Sequence, residues 1–165
     1  MEPPSYFIKK LIKPENIERQ VAEIRASGKT IATLNGSFDL LHAGHLFMIH
    51  QAKQQADILI VALNSDASVR AYKSPKRPII PLQYRLEMMA ALEFVDFVTF
   101  FEEVTPCNIL YKIRPEVHVN GIEYGENCVE AGAVRAVGAR LHLVARIPSL
   151  STSAIIEKIC EVSAP

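Results

Sequence analysis

The chain has 165 residues, with 18 Lys and Arg balanced by 18 Asp and Glu, so its length suits a single domain around one core. Balanced charge excludes a global attraction to nucleic acid or to an anionic membrane, and any anion site must be local. Three widely spaced cysteines (Cys107, Cys128 and Cys160) without a C-x-x-C pair, no signal-peptide core and no apolar run of the roughly 20 residues that span a bilayer together point to a soluble protein with free thiols, in the cytoplasm.

Residues 1–12 carry no strong pattern. Pro14 opens a helical signal with Ile17, Val21 and Ile24 on one face, closed by Ser27-Gly28, so residues 1–28 read as a flanking segment and helix ahead of the main unit. The apolar-rich run 30–35 reads as a first strand. A sharp turn, Asn35-Gly36-Ser37-Phe38-Asp39-Leu40-Leu41-His42-Ala43-Gly44-His45, leads into a helix over about 43–56 with Leu46, Ile49, Ala52 and Ala56 at helical spacing. Ile58–Leu63 is a continuous apolar run, the mark of a central strand covered on both faces. Asn64-Ser65-Asp66 can cap the short helix that follows.

Residues 72–81 hold three prolines and three cations, the only dense basic patch, and read as a mobile loop. After Pro81, Leu82, Leu86, Met89 and Glu93 set a helix, and Phe94–Phe101 supplies a third strand rich in Val and Phe. Thr105-Pro106 starts a helix with Ile109, Leu110 and Ile113 facing inward. Val117–Val119 is a fourth strand, a helix over about 127–137 stops at Gly138, and Leu141–Ala145 is a fifth strand. Ser151-Thr152-Ser153 caps a last helix with Ile155, Ile156 and Ile159. Five strands alternating with helices predict an α/β fold, a doubly wound parallel five-stranded sheet.

Neither standard phosphate fingerprint is present: there is no G-x-x-x-x-G-K-[ST] and no G-x-G-x-x-G, which argues against a P-loop kinase or a dinucleotide oxidoreductase. In their place His42 and His45 stand at i, i+3 on the first turn of a helix, with Gly44 between them. Two imidazoles at a helix N-terminus can donate to phosphate oxygens. A structural pair or a metal site fits the same spacing, with Asp39 the one further ligand close in sequence.

Gly36-Ser37-Phe38-Asp39 followed by His42-Ala43-Gly44-His45 resembles the G-[ST]-F-D-x-x-H-x-G-H signature of the nucleotidyltransferase superfamily, with its cytidylyltransferase-like, Rossmann-like fold. The resemblance continues through Asn64-Ser65-Asp66, Arg77-Pro78, Pro81-Leu82, Arg85, Ala91-Leu92-Glu93, Val95-Asp96 and Thr105-Pro106, and is greatest to the adenylyltransferase domain of bacterial ADP-heptose synthases. It runs from about Glu15 to Ile159. It implies transfer of AMP from ATP to a sugar 1-phosphate, heptose 1-phosphate first, releasing pyrophosphate and giving ADP-heptose for lipopolysaccharide core synthesis. Mg²⁺ would accompany ATP, the protein would be a homodimer, and a chain of this length would be the transferase without a sugar-kinase domain. Alternatives are a cytidylyltransferase using CTP and glycerol 3-phosphate or a related ester, and a non-catalytic nucleotide-sensing module.

By the same resemblance His42, His45, Lys73 and Arg85 are the catalytic set, His45 stabilising the pentacoordinate α-phosphorus and Arg85 also contacting substrate phosphate. Asn35, Gly36, Ser37, Phe38 and Gly44 would contact the nucleotide. Asp39 would lie near the acceptor phosphate and the metal, with Asn64, Asp66 and Lys76 on the acceptor side. The stretch 146–153 resembles the superfamily's second signature, with Arg146, Ser151, Thr152 and Ser153 holding the β- and γ-phosphates. Taken alone, Ser-Thr-Ser is an N-cap. Asn120, Gly121, Glu123 and Tyr124 would meet ribose and base, but the sequence reads Val-Asn-Gly-Ile-Glu-Tyr where heptose adenylyltransferases tend to show Val-Lys-Gly-Gly-Asp-Tyr. Asn120 thus removes an expected cation, and Ser37 stands where a cysteine is often found. His50, His118 and His142 read as ordinary packing or surface.

Overall fold

The uninterrupted apolar run in the middle of the chain forms β2 (Ile58–Asn64), in which every residue is buried. That is what a central parallel strand requires, because helices cover both of its faces. A computed structural model of the chain describes residues 3–145, 147 and 150–163. The sheet also contains β1 (Ile31–Gly36), β3 (Phe97–Phe101), β4 (Val117–Gly121) and β5 (Arg140–Val144), in the order β3-β2-β1-β4-β5 with all pairings parallel. Around it lie α1 (Ser5–Lys10), α2 (Ile17–Ala26), α3 (Ala43–Lys53), α4 (Asp66–Tyr72), α5 (Leu82–Ala90), α6 (Cys107–Ile113), α7 (Ala131–Ala136) and α8 (Thr152–Ser163).

Alternation along the strands builds two cores. Leu34, Leu59, Val61, Leu63 and Val98 turn to one face, against Ile49 and Ala52 of α3 and Leu86 and Met89 of α5. Ile31, Ile58, Ile60 and Phe101 turn to the other, against Ile17, Val21 and Ile24 of α2 and Ile109 and Ile113 of α6. The strand order reverses between β1 and β4, and in an open parallel sheet the crevice at the carboxyl ends of those strands is where ligands bind.

Several boundaries differ from the sequence reading. The unpatterned N-terminus forms α1, which buries Phe7, and then runs beside the outer strand, where Ile12 N–H donates to Val98 O at 2.8 Å. The third strand begins at Phe97 rather than Phe94, because the carboxylate of Asp96 accepts from Leu59 N–H at 2.7 Å and pairs with Lys53 Nζ at 2.6 Å. Lys53 also donates to Asp57 O, so α3 closes at Lys53 instead of reaching 56. The helix expected over 127–137 is the shorter α7. Among the described residues no helix is long and apolar enough to cross a membrane, and the three cysteines are free.

Candidate active site

The β1–α3 turn is held in a conformation that few side chains adopt. Phe38 sits at φ 46°, a left-handed geometry that a bulky residue keeps only when its surroundings fix it, and such strain gathers at functional sites. His42 is the N-cap residue of α3, with its carbonyl accepting from His45 and Leu46 N–H at 2.9 and 3.3 Å. One turn apart, the His42 and His45 rings stack with centroids 3.9 Å apart, and Phe38 meets the His45 ring edge-on at 5.2 Å. A side chain at Gly44 would bring a Cβ to 3.0 Å from the His42 ring, so glycine there keeps the pair stacked. Both histidines border a cavity of about 570 Å³, together with Asn35, Gly36, Ser37 and Phe38.

Its second wall is the end of α4 and the loop after it. Lys73 Nζ donates to the Ser37 hydroxyl at 2.8 Å. Burial, then the nearby Arg77 cation, lower the Lys73 pKa against the opposing pull of Asp39. The Tyr72 hydroxyl also reaches Ser37, and burial raises its pKa, so it stays a neutral phenol. Arg77 borders the cavity while its Nε donates to Asp39. Its buried Nη2 has no hydrogen-bond partner among the described residues, which leaves a cationic donor for an anion.

Across the cavity lie Asn120, Gly121, Glu123 and Tyr124 at the carboxyl end of β4, and the N-terminus of α8 with Ser151, Thr152 and Ser153. The Ser151 hydroxyl caps α8 by accepting from Ala154 N–H at 3.1 Å, and Thr152 Oγ1 reaches Leu40 O at 3.5 Å, tying that helix to the β1–α3 turn. Two helix N-termini, a lysine and an arginine therefore line one side, and a carboxylate lines the other. Phosphates suit the first side. Ribose hydroxyls, which can donate to Glu123, suit the second.

Other residues singled out in the sequence lie behind this surface. Arg85 is fully buried: its Nε donates to Ile80 O at 2.9 Å, Nη1 to Ser37 O at 2.5 Å, and Nη2 to Asn64 O at 2.9 Å and to Asp66 Oδ1 at 2.7 Å. These four bonds make Arg85 a clamp joining the ends of β1 and β2 to the basic loop. Asp66 also accepts from Leu82 N–H at 2.9 Å, and the Asn64 amide donates to Ser68 Oγ at 2.9 Å, so neither faces the cavity. Lys76 is exposed and outside the lining. Arg146 lies outside the described residues.

Asp39 is fully buried, and its carboxylate accepts from Ile79 and Ile80 N–H at 2.8 and 2.9 Å as well as from Arg77. Burial opposes its charge, but the Ile80 and Ile79 N–H groups and Arg77 together outweigh it and hold the pKa below the ordinary value. Asp39 therefore anchors the 77–80 loop. Among the described residues no three His, Cys, Asp or Glu side chains form a metal-ligand group.

The sequence reading missed Leu34, Met48, Tyr72, Ser74, Arg77, Ile147 and Leu150 as lining residues. Of these Arg77 had a signal, since it lies in the only dense basic patch. His118, read as ordinary packing or surface, is fully buried with Nδ1 2.8 Å from Thr33 Oγ1.

Comparison with known proteins agrees with this geometry. Residues 33–158 match the cytidylyltransferase-like family. The bifunctional protein HldE of Trichlorobacter lovleyi is 41% identical over 153 residues, covering 92% of this chain and 31% of that protein. HldE of Pseudomonas fluorescens is 43% identical over 146 residues, covering 88% of this chain and 31% of that protein. The chain thus spans about a third of the length of these relatives. Among solved structures, a lipopolysaccharide core biosynthesis protein from Thermoplasma volcanium shares the fold with a TM-score of 0.60 and 24% identity, over 73% of this chain and 98% of that one. A pantoate-beta-alanine ligase from Francisella tularensis, complexed with a nucleotide and beta-alanine, does so with a TM-score of 0.58 and 17% identity, over 92% of this chain and 78% of that one. With the signature turn, the sheet order and the site at the β1–β4 reversal all in agreement, the chain belongs to the cytidylyltransferase-like family of nucleotidyltransferases.

Proposed function

We propose that the chain transfers AMP from ATP to a sugar 1-phosphate, heptose 1-phosphate being the acceptor, and that the ADP-heptose formed serves lipopolysaccharide core synthesis. The observation that carries the reading is the stacked His42–His45 pair at the α3 N-terminus, bordering one cavity with Lys73, Arg77 and the α8 N-terminus. Kinship with the HldE proteins and the resemblance of residues 64–106 to heptose adenylyltransferases support the acceptor.

In the reaction an oxygen of the acceptor phosphate attacks the α-phosphorus of ATP in line. The new P–O bond forms as the bond to the β-phosphate's bridging oxygen breaks, and pyrophosphate leaves with the electron pair. No enzyme nucleophile is needed; the task is to align two anions and neutralise the charge between them. His42 and His45 donate to the α-phosphate region, Lys73 and the α8 N-terminus hold the β- and γ-phosphates, and Arg77, steered by Asp39, holds the acceptor phosphate. Glu123, Tyr124 and Asn120 meet ribose and base. Mg²⁺ would accompany the nucleotide and help to neutralise its phosphates. A homodimer in the cytoplasm is the expected state, checked by sedimentation.

Pyrophosphate release, measured with ATP or CTP against heptose 1-phosphate, glycerol 3-phosphate and other phosphomonoesters, tests the reading. Release with ATP and heptose 1-phosphate is expected. Release with CTP alone would overturn it, and nucleotide binding without release for any acceptor would make the chain a sensing module.

A further inference from the structure

Behind the wall formed by Asn120, Gly121, Glu123 and Tyr124 lies a chain of buried polar groups. Thr33 on β1, His118 and Asn120 on β4, and Glu130 just before α7 are at most 8% exposed. His118 Nε2 stands 3.5 Å from Glu130 Oε1, within ion-pair reach but long for a hydrogen bond. Asn120 Nδ2 donates to the same oxygen at 2.7 Å, while Asn120 Oδ1 accepts from Gly121 N–H at 2.9 Å. Of these residues only Asn120 borders the cavity.

A carboxylate buried this deeply is costly unless its partners compensate it. Burial pushes the Glu130 pKa up, but His118, the residue's own backbone N–H and the Cys128 thiol more than offset it, so the group stays charged. A charged carboxylate only accepts hydrogen bonds, so Glu130 dictates which way the Asn120 amide points. That orientation reaches further, because a Cβ at Gly121 would lie 2.3 Å from the Glu123 carboxylate. Glu123 therefore folds against the Gly121 backbone that Asn120 holds, and a shift of the amide is passed on to Glu123.

We propose that Glu130 is a positioning residue for the nucleotide, fixing through Asn120 both the amide presented to the cavity and the turn that carries Glu123. The inference rests on the reading that ribose and base occupy this wall. It also accounts for asparagine at the position where a lysine is expected: His118 and the Cys128 thiol already compensate the carboxylate, so a neutral amide held between Glu130 and Gly121 suffices there.

Steady-state kinetics with ATP tests the assignment, with folding followed by circular dichroism. Glu130→Ala should raise KM for ATP about tenfold with kcat within about twofold, the loss expected of one charge-assisted hydrogen bond. Glu130→Gln loses the charge but keeps an oxygen for Asn120 Nδ2, whose orientation Gly121 N–H still fixes, and should raise KM the least of the three variants. Glu130→Asp keeps the charge but withdraws it from Asn120, and should raise KM about threefold. A residue needed only for buried charge balance would give the reverse order, and that order, or an unchanged KM in a folded Glu130→Ala or Glu130→Asp, overturns the proposal. In the double variant with Asn120→Ala, the Glu130→Ala effect should vanish; effects that multiply would show that Glu130 does not act through Asn120. A wild-type protein that releases no pyrophosphate with ATP would instead bring down the functional reading itself.

Discussion

Two sets of polar residues come from the same signature stretches and serve opposite purposes. His42, His45, Lys73 and Arg77 border the cavity, whereas Asp39, Asp66 and Arg85 lie behind it. The first set is placed to act on an anion. The second is consumed by the protein: Arg85 spends its guanidinium on three backbone carbonyls and one carboxylate, and Asp39 spends its oxygens on the 77–80 loop. On the proposed function, the signature mixes groups that act with groups that hold the acting ones still, and burial separates the two sets.

The contrast makes its largest prediction at Arg85. Arg85→Ala leaves the partly exposed Asp66 carboxylate and three carbonyls, two of them on the buried Ser37 and Asn64, without their donor, and at about 1–3 kcal/mol for each unsatisfied buried group the loss is about 3–5 kcal/mol. In a chain of this size that lowers Tm by roughly 10 °C, read by thermal denaturation. A Tm within about 2 °C of wild type, accompanied by slow turnover, would return Arg85 to the acting set. His45→Ala should do the opposite: Tm holds while kcat falls about 100-fold, the equivalent of about 3 kcal/mol of transition-state stabilisation. Normal turnover in that variant would remove His45 from the chemistry.

Arg77 belongs to both sets, since Asp39 holds its Nε while Nη2 is left for a ligand. Arg77→Met should raise KM for the acceptor about tenfold, as loss of a charge-assisted contact does, with KM for ATP nearly unchanged. A rise in KM for ATP instead would mean that Arg77 serves the nucleotide phosphates.

The sheet was legible because its signals are local: the apolar run of β2 and the amphipathic face of α2 are consequences of burial that any sequence must show. The β1–α3 turn and the Ser151 cap were legible for the same reason, since helix N-termini demand particular residues. What could not be read depends on where the chain folds back. α1 buries a single side chain, Phe7, too little to print a period on six residues. Whether Arg77 or Lys76 would face the cavity is decided by Asp39, 38 residues upstream of Arg77. His118 and Glu130 are brought together only by strand register and the start of α7, and neither stands in a motif.

Lys73 gives the finest test, because its effect at neutral pH is small and its signature lies in a pH profile. In the proposed reaction the acting form is the ammonium, which donates to Ser37 here and would donate to phosphate in a complex. Burial and then Arg77 lower its pKa, so the ammonium is lost at a lower pH than for a free lysine, whose value is about 10.4. The alkaline limb of kcat/KM, which reports groups of the free enzyme, should therefore fall below that value. Removing a neighbouring cation favours the ammonium, so Arg77→Met should move the limb to higher pH. Asp39→Asn removes an opposing anion and should move it lower. Lys73→Arg, which does not titrate in this range, should abolish the limb while changing the rate at neutral pH only a few-fold. Tyr72 cannot mimic this behaviour, because burial shifts its phenol the other way, to higher pH. A limb that persists in Lys73→Arg would belong to another group, and Lys73 would then join Arg85 among the residues that only hold the site in place.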